Sequence, residues 1–425
     1  MSICLPYSAD HRHMLIGYTS AHFGKSLLWS GEDALTLYIL IRTLDLPPAM
    51  AGMVFLSSAL WNALCDGLFA MILLRWPGVW RYLPVVTVPA IIGAGIGFAI
   101  LPMVAKGSLF ASIALLFLFR TCFCLLDIPH NALTHGLAMQ FGHLPMARLR
   151  SLSAGIAALI IGFVGFQIIH TGESTHTILE MLIFSIGVSA CLLMLPIPFL
   201  LKHSPPESPA SHSSASDANA PLNKGLWIYC LASLIGLSGL AAFAKAILHM
   251  DFRAETIGAA ALLLMTVGRI AAIWFWTPLA RKIGSRQALA LSYVLGGGSV
   301  LCMPIMAGMQ DLPLFFSLIT CGILGGGIAY LSWAVLTETL GNSTNVSRHA
   351  AGFGLFTMSM KIGLGLSALL VGWWLSARQP VQFMMNDSLS LLTIAIPVIT
   401  LIAALLILLS GKFSVSAVPS PHPYS

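Results

Sequence analysis

The apolar runs of this chain are too long and too continuous to fold anywhere but inside a lipid bilayer. Hydrophobic residues fill 57% of its 425 positions, about 242 side chains, and twelve membrane spans of ~20 residues would need ~240. Charged residues make up 8%, against roughly 25% in an ordinary soluble domain. A soluble enzyme of this size is excluded, because it would lack the charged surface that keeps it in water. The same apolar excess excludes a disordered or fibrous chain. An outer-membrane barrel would read as alternations of about ten residues, and these stretches do not alternate. The class that remains is an all-α membrane protein.

Twelve apolar segments are predicted, at 14–42, 47–74, 82–105, 108–136, 148–170, 177–201, 223–249, 254–279, 287–308, 312–341, 348–376 and 389–410. Between the sixth and seventh, His203 to Pro221 is a Pro/Ser/Ala stretch with almost nothing to bury, the composition of a flexible linker. The predicted organisation is an N-terminal six-helix half over 1–202, a linker over 203–222, and a C-terminal six-helix half over 223–425 that ends in a short polar tail. With the N-terminus inside, twelve basic residues fall on the cytoplasmic side, among them Arg75, Arg81, Arg148, Arg150, Arg281 and Lys282. Four fall outside: Arg42, Lys106, Arg253 and Arg378. That asymmetry favours both termini in the cytoplasm of a protein in a cell inner membrane. It also accounts for the net charge of +6, whose basic residues are scattered singly, so no nucleic-acid partner is expected. Two six-helix halves joined by a cytoplasmic linker are the plan of the major facilitator superfamily, whose halves rock about a site near the bilayer midplane.

Charges within spans are costly and mark function by default. The acids are Glu32, Asp33, Asp66 and Asp127, with Glu338 near a cytoplasmic end; the bases are Lys25, Arg120, Lys245, Arg269 and Lys361. Near-equal numbers point to internal pairing, and a structural ion pair is the plain alternative for each. Asn62 and Asp66 are four apart and share a helix face. Such a carboxylate and amide could hold a cation, and a lone buried carboxylate also suits a proton carrier. Asn in place of a second acid favours H+ over Na+. Arg120 and Asp127 share a face just before Pro129; Arg120 could pair with Asp33 or Glu32, or bind an anionic substrate. Ser26, Trp29 and Asp33 lie together on another helix, an indole with polar neighbours that suits a polyhydroxylated ring. The alternative for Trp29 is a face turned to lipid or core. Lys361, deep in an apolar stretch, must meet an acid, a cation site or a substrate.

No cysteine pair has metal-ligand spacing, and no nucleophile–base pair is evident, so neither a metal site nor an enzyme is expected. No cofactor is expected beyond a coupling H+ or Na+. His249 and His130 are the two histidines inside segments, and each reads first as a satisfied structural group. Gly296–Gly298 and Gly325–Gly327 lie in apolar spans with no Lys-Ser/Thr after them, so they are not phosphate loops. Ala280–Arg286 is a basic loop that could satisfy helix C-terminal carbonyls or simply set topology.

Several stretches resemble the glycoside–pentoside–hexuronide:cation symporters, the melibiose permease family. Trp61-Asn62-Ala63-Leu64-Cys65-Asp66-Gly67 is similar to the family's W-D-A-x-x-D-P. Asp127-Ile128-Pro129 matches its D-I-P, and Phe23–Ser26 its F-G-K-D. Tyr330–Leu340 is similar to its tenth-helix ending, with Glu338 for the aspartate, and Lys361 matches its eleventh-helix lysine. Ser26 and Asn62 stand where the family has acids, and Ala351 replaces another. The arginine expected shortly into the fifth helix is missing, with Arg148 and Arg150 at the helix start instead. The resemblance implies a cation site of Asp66, Asn62, Asp127 and Lys361; the expected substrate site is Ser26, Trp29, Asp33, Arg120 and Asp127, with Asp33 or Glu32, not typical of the family at this position, as a substitute carboxylate for the acid lost at Ser26. The expected function is cation-coupled symport of a glycoside, sugar or sugar acid by a monomer in the bilayer. The alternatives are a lysolipid or other amphiphile transporter of the same fold, and a non-transporting sensor or assembly factor.

Overall fold

The computed structural model describes residues 9–171, 176–203, 223–247, 253–254, 256–257, 260–341, 346–377 and 385–413. The linker expected at 203–222 lies outside these residues except for His203, and His249 lies outside them too.

The first half holds α1 (Ala9–Arg42), α2 (Pro48–Arg75), α3 (Leu83–Ala105), α4 (Leu109–Phe141), α5 (His143–Thr171), α6 (His176–Met194) and the short α7 (Pro196–His203). The second holds α8 (Lys224–Ala246), α9 (Ala261–Ile283), α10 (Ser285–Ser299), the five-residue α11 (Met303–Ala307), α12 (Asp311–Leu340), α13 (Val346–Ala377) and α14 (Met385–Lys412). Helix starts follow local chemistry. The Ser108 side chain caps α4 by accepting from the Ala111 N–H at 3.2 Å, and Asn223 caps α8 through the Gly225 N–H at 2.9 Å. Pro48 opens α2, where its missing N–H costs nothing. Single glycines join helices end to end: Gly142 (φ 92°) between α4 and α5, and Gly284 (φ 94°) between α9 and α10. Only glycine takes that backbone conformation without strain.

Ten helices among the described residues are long and apolar enough to cross a membrane. Two of the twelve expected segments are not among them. The first, in α1, is 34 residues long but carries Lys25, Glu32 and Asp33. The ninth is split: α10 ends at Ser299 after three glycines, a 3-10 turn spans Val300–Cys302, and α11 follows. Large apolar side chains such as Met71, Val85, Phe110, Leu192 and Trp373 point outward, the surface that a bilayer solvates and water does not.

The same neighbour relations recur in both halves. In the first, α1 packs on α5 and α6, α3 on α4 and α6, and α2 on α4. In the second, α8 packs on α13 and α14, α10 on α12 and α14, and α9 on α12. The halves meet mainly where α2 lies along α13 and α5 lies along α9 and α12. Each half has its own core, built around Phe98, Phe119 and Phe123 in the first and around Trp276, Tyr293, Phe353 and Phe356 in the second.

Without a hydrophobic force between helices in lipid, contact depends on how closely backbones approach. The tightest crossing joins α9 to α12. A Cβ on Gly268 would sit 2.1 Å from the Ile319 carbonyl oxygen, and one on Gly322 would sit 2.1 Å from that of Met265. Gly322→Ala is expected to lower stability by about 1–3 kcal/mol, as overpacking does, and to lower the unfolding temperature in detergent. Gly298→Ala, where nothing lies within 4 Å, should leave it unchanged; equal behaviour of the two variants would contradict this crossing.

Candidate functional site

A cavity of about 390 Å3 opens between the halves, within the roughly 300–1,000 Å3 of small-molecule sites. Helix α1 contributes His22, Lys25, Ser26, Trp29 and Asp33; α4 contributes Asp127 and α5 Arg150. From the other half come Arg269 on α9, Trp333 on α12 and Lys361 on α13.

The i, i+4 spacing of Asn62 and Asp66 puts both on the face of α2 that meets α13, and neither is exposed. The Lys361 ammonium reaches them across the interface. It lies 2.5 Å from Asp66 Oδ2, donates to Asn62 Oδ1 at 2.9 Å, and lies 3.5 Å from Asp127 Oδ2. Its sides are covered by the Trp29 and Phe123 rings, at 5.6 and 5.5 Å. All four residues expected at the cation site are therefore in one place, with the lysine ammonium among the oxygens.

Asp127 is shared. Its Oδ1 accepts from Lys25 Nζ at 2.7 Å and from Asn131 Nδ2 at 2.9 Å, one helical turn on. Lys25 also donates to Asn131 Oδ1 at 2.8 Å and lies 3.3 Å from His130 Nδ1. His130 is buried and stacks on Tyr18, ring centroids 4.6 Å apart. Asn131 Oδ1 further accepts from Arg150 Nη2 at 3.0 Å. Arg150 donates as well to the Tyr18 and Thr134 hydroxyls, each at 2.7 Å, and its guanidinium lies 3.9 Å from the Trp333 ring centroid. Asp66, Lys361, Asp127, Asn131 and Arg150 thus form one continuous polar chain, which Lys25 bridges.

The residues expected at the substrate site divide. Ser26, Trp29, Asp33 and Asp127 line the cavity; Arg120 does not. Ser26 donates to the His22 carbonyl at 2.7 Å, and Trp29 stacks on Phe123 at 5.5 Å rather than facing lipid. Asp33 is held 2.5 Å from Lys245 of the other half. Arg120, 1% exposed, is bound to Glu32 in a buried ion pair behind the wall. Its seven-residue spacing from Asp127 gives the direction of a side chain, not the neighbour it meets. Trp61, within the W-D-A-like stretch, is partly exposed and donates to Thr121 at 2.9 Å.

Lys25, Arg150 and Arg269 line the cavity as well, although the sequence reading assigned none of them to either site. Lys25 and Arg269 carried a visible signal, a base inside an apolar run. Arg150 was hidden as one of two basic residues at the start of a span; it lies buried in the cavity wall. At the bundle end bearing Arg281, Glu338 accepts from Ser285 at 2.7 Å and Arg286 donates to Thr339 at 3.0 Å. The basic loop therefore ties α10 to α12 there.

A helical bundle with repeated packing in its two halves and, between them, a largely apolar cavity studded with charged side chains is the architecture of a polytopic transporter. A family model described as MFS/sugar transport protein matches residues 17–412, and the chain belongs to that family. It is accordingly a transport protein and not an enzyme. The match stops at this level and does not single out the melibiose permease group. Among solved structures, the nucleoside transporter NupG is similar at TM-score 0.61 and 13% identity, covering 94% of this chain and 99% of its own. The E. coli fucose:proton symporter FucP is similar at TM-score 0.60 and 15% identity, covering 94% and 97%. A bacterial homologue of the iron transporter ferroportin is similar at TM-score 0.62 and 15% identity, covering 93% and 99%. At these identities the likeness is one of fold. No curated protein matches the sequence.

The buried Glu32–Arg120 pair shares neither partner with another ion pair and tests the interior's electrostatics. Removing one partner of a buried pair typically costs about 3–5 kcal/mol, because the other charge is left alone, while replacing both costs far less. Glu32→Gln and Arg120→Met are each expected to lower the unfolding temperature sharply, and the double variant to recover most of the loss. Additive losses would show that the two groups do not compensate each other.

Proposed function

We propose that the protein is a secondary active transporter that moves a small hydrophilic solute by alternating access, coupled to H+ or Na+. The observation that carries this reading is the Lys361 ammonium, held among Asp66, Asn62 and Asp127 of the opposite half. A site that binds a cation must be neutralised when the cation leaves. In this reading the tethered ammonium takes the cation's place, so the empty carrier can return without a buried, uncompensated charge. Cation entry at Asp66 then displaces Lys361, and the freed ammonium is available to the cavity it lines.

Twelve spans in two six-helix units, with both termini cytoplasmic, complete the arrangement. The split ninth segment and the charged α1 each serve as one crossing. At 1.5 Å per residue α1 is ~51 Å long, enough to cross a hydrocarbon core of ~30 Å at a tilt. The ion pairs that cross between halves, Asp33–Lys245 and those of Lys361 with Asp66 and Asp127, are those that alternate. Lys25–Asp127 and Glu32–Arg120, each inside one half, persist. Trp29, with Ser26 and Asp33 around it, offers an apolar face and hydrogen-bond partners to a sugar-like ring. This favours the sugar or sugar-acid reading of the family resemblance over a lysolipid.

In proteoliposomes, Asp66→Asn is expected to abolish accumulation driven by a pH or Na+ gradient. Equilibrium exchange of labelled substrate should persist, because exchange does not require the empty carrier to reset. Gradient-driven accumulation by Asp66→Asn at the native rate would end this assignment. Accumulation driven by one gradient and indifferent to the other identifies the ion.

A further inference from the structure

Six bases lie between the helices around the cavity, five of them buried and Arg269 half-buried, and four carboxylates answer them. Lys25 has Asp127, Lys361 has Asp66, Lys245 has Asp33 and Arg120 has Glu32. Arg150 and Arg269 are left over. Arg150 is 2% exposed; its donors meet only the neutral oxygens of Tyr18, Thr134 and Asn131, and its Nε has no partner. Arg269 makes no ion pair or hydrogen bond among the described residues, and Asp33, which lines the same cavity, is already bound to Lys245. Both arginines line the same cavity, one from each half.

Two surplus charges in a membrane interior are costly. Lysines could relieve the cost by shedding protons, but a guanidinium stays charged at any physiological pH. The deficit must therefore be met by something that enters the cavity. We propose that the transported solute is an anion, carrying a carboxylate or phosphate that is received jointly by Arg150 and Arg269. This rests on the transporter reading and deepens it. A guanidinium receives such groups through paired N–H···O contacts. Because the two arginines come from opposite halves, an anion between them favours the closed state that holds both. Solute binding is then linked to Asp66 through Asn131, Asp127 and Lys361. The remainder of the solute meets Trp29 and Trp333.

The test is binding to the purified, full-length protein, read by tryptophan fluorescence, with solutes paired so that only the charged group differs. The pairs are D-glucuronate with D-glucose, glucose 6-phosphate with D-glucose, and oleoyl lysophosphatidate with monooleoylglycerol. At least one anion is expected to bind about tenfold or more tightly than its neutral twin, a difference typical of a charge-assisted contact. Arg269→Gln, which strands no partner, should remove that preference, and Arg269→Lys should keep part of it. Preference confined to the lysophosphatidate pair assigns the anion to a lipid headgroup; preference in the sugar pairs assigns it to a soluble solute. Equal or tighter binding of the neutral twins, no anion binding in any pair, or an anion preference unchanged in Arg269→Gln would each overturn the proposal. Binding needs no gradient, so the readings separate. Anion binding without gradient-driven accumulation would sink the coupled-transport reading alone, and gradient-driven accumulation of a neutral sugar would sink this one alone.

Discussion

A lysine ammonium in the middle of the long apolar helix α13 sets the terms for most of the structure. Lys361 is 2% exposed, and in that position it must be answered by carboxylates from elsewhere in the chain. Asp66 and Asp127 answer it, which requires α2 and α4 to converge on α13. Small residues make the convergence possible. Gly354 faces Ala70 and the Asp66 carbonyl, and Gly365 faces Ala59, so α13 lies against α2 along its length. The electrostatic demand and the close packing are one requirement, because the charges meet only if the backbones approach.

The same requirement explains what was legible in the sequence. A charge in an apolar run stands out, so Asp66, Asp127 and Lys361 could each be singled out, and the four-residue spacing placed Asn62 beside Asp66; that they form one site was implied only by the family resemblance. The cavity positions of Ser26, Trp29 and Asp33 followed from one shared helix face. What sequence could not supply was partner choice. Arg120 lies one face-turn from Asp127 but meets Glu32 on α1, because which helix stands opposite is decided by packing across the whole half. Arg150 looked like a topology-setting charge at a span's start. Only the folded chain brings Tyr18, Thr134 and Asn131 around it. The recurrence of packing between the halves was equally hidden, since helix neighbours repeat where side chains do not.

The ninth segment shows where hydropathy and structure part. It carries no charged residue, yet Gly296–Gly298 precede a 3-10 turn and a five-residue helix. Hydropathy measures how well a segment dissolves in lipid, whereas helix continuity depends on side chains that stiffen the backbone, and glycine provides none. Gly297 lies so close to Thr400 that a Cβ would meet the Thr400 hydroxyl at 1.8 Å. The weak spot in α10 is thus also a point of close contact with α14.

Asn131 has the most consequential position in the polar chain. A neutral amide there accepts from both Lys25 and Arg150 through one oxygen and donates to Asp127 through its nitrogen. A carboxylate at 131 would neutralise Arg150 outright and remove the cavity's demand for an outside charge. The amide instead orients both cations without satisfying either. Lys25 therefore leans on Asp127, Asp127 is shared with Lys361, and the arginine remains electrostatically open to the cavity. Whether Asp66 or a visiting group holds Lys361 changes how much of Asp127 is left for Lys25, and so how firmly Asn131 and Arg150 are held. A single chain of contacts less than 4 Å apart joins an acid sealed in the helix interface to a guanidinium in the cavity wall, and no step in it is saturated. An unsaturated network can have two arrangements of similar energy, which coupling between two sites requires; a fully neutralised one would be only a scaffold.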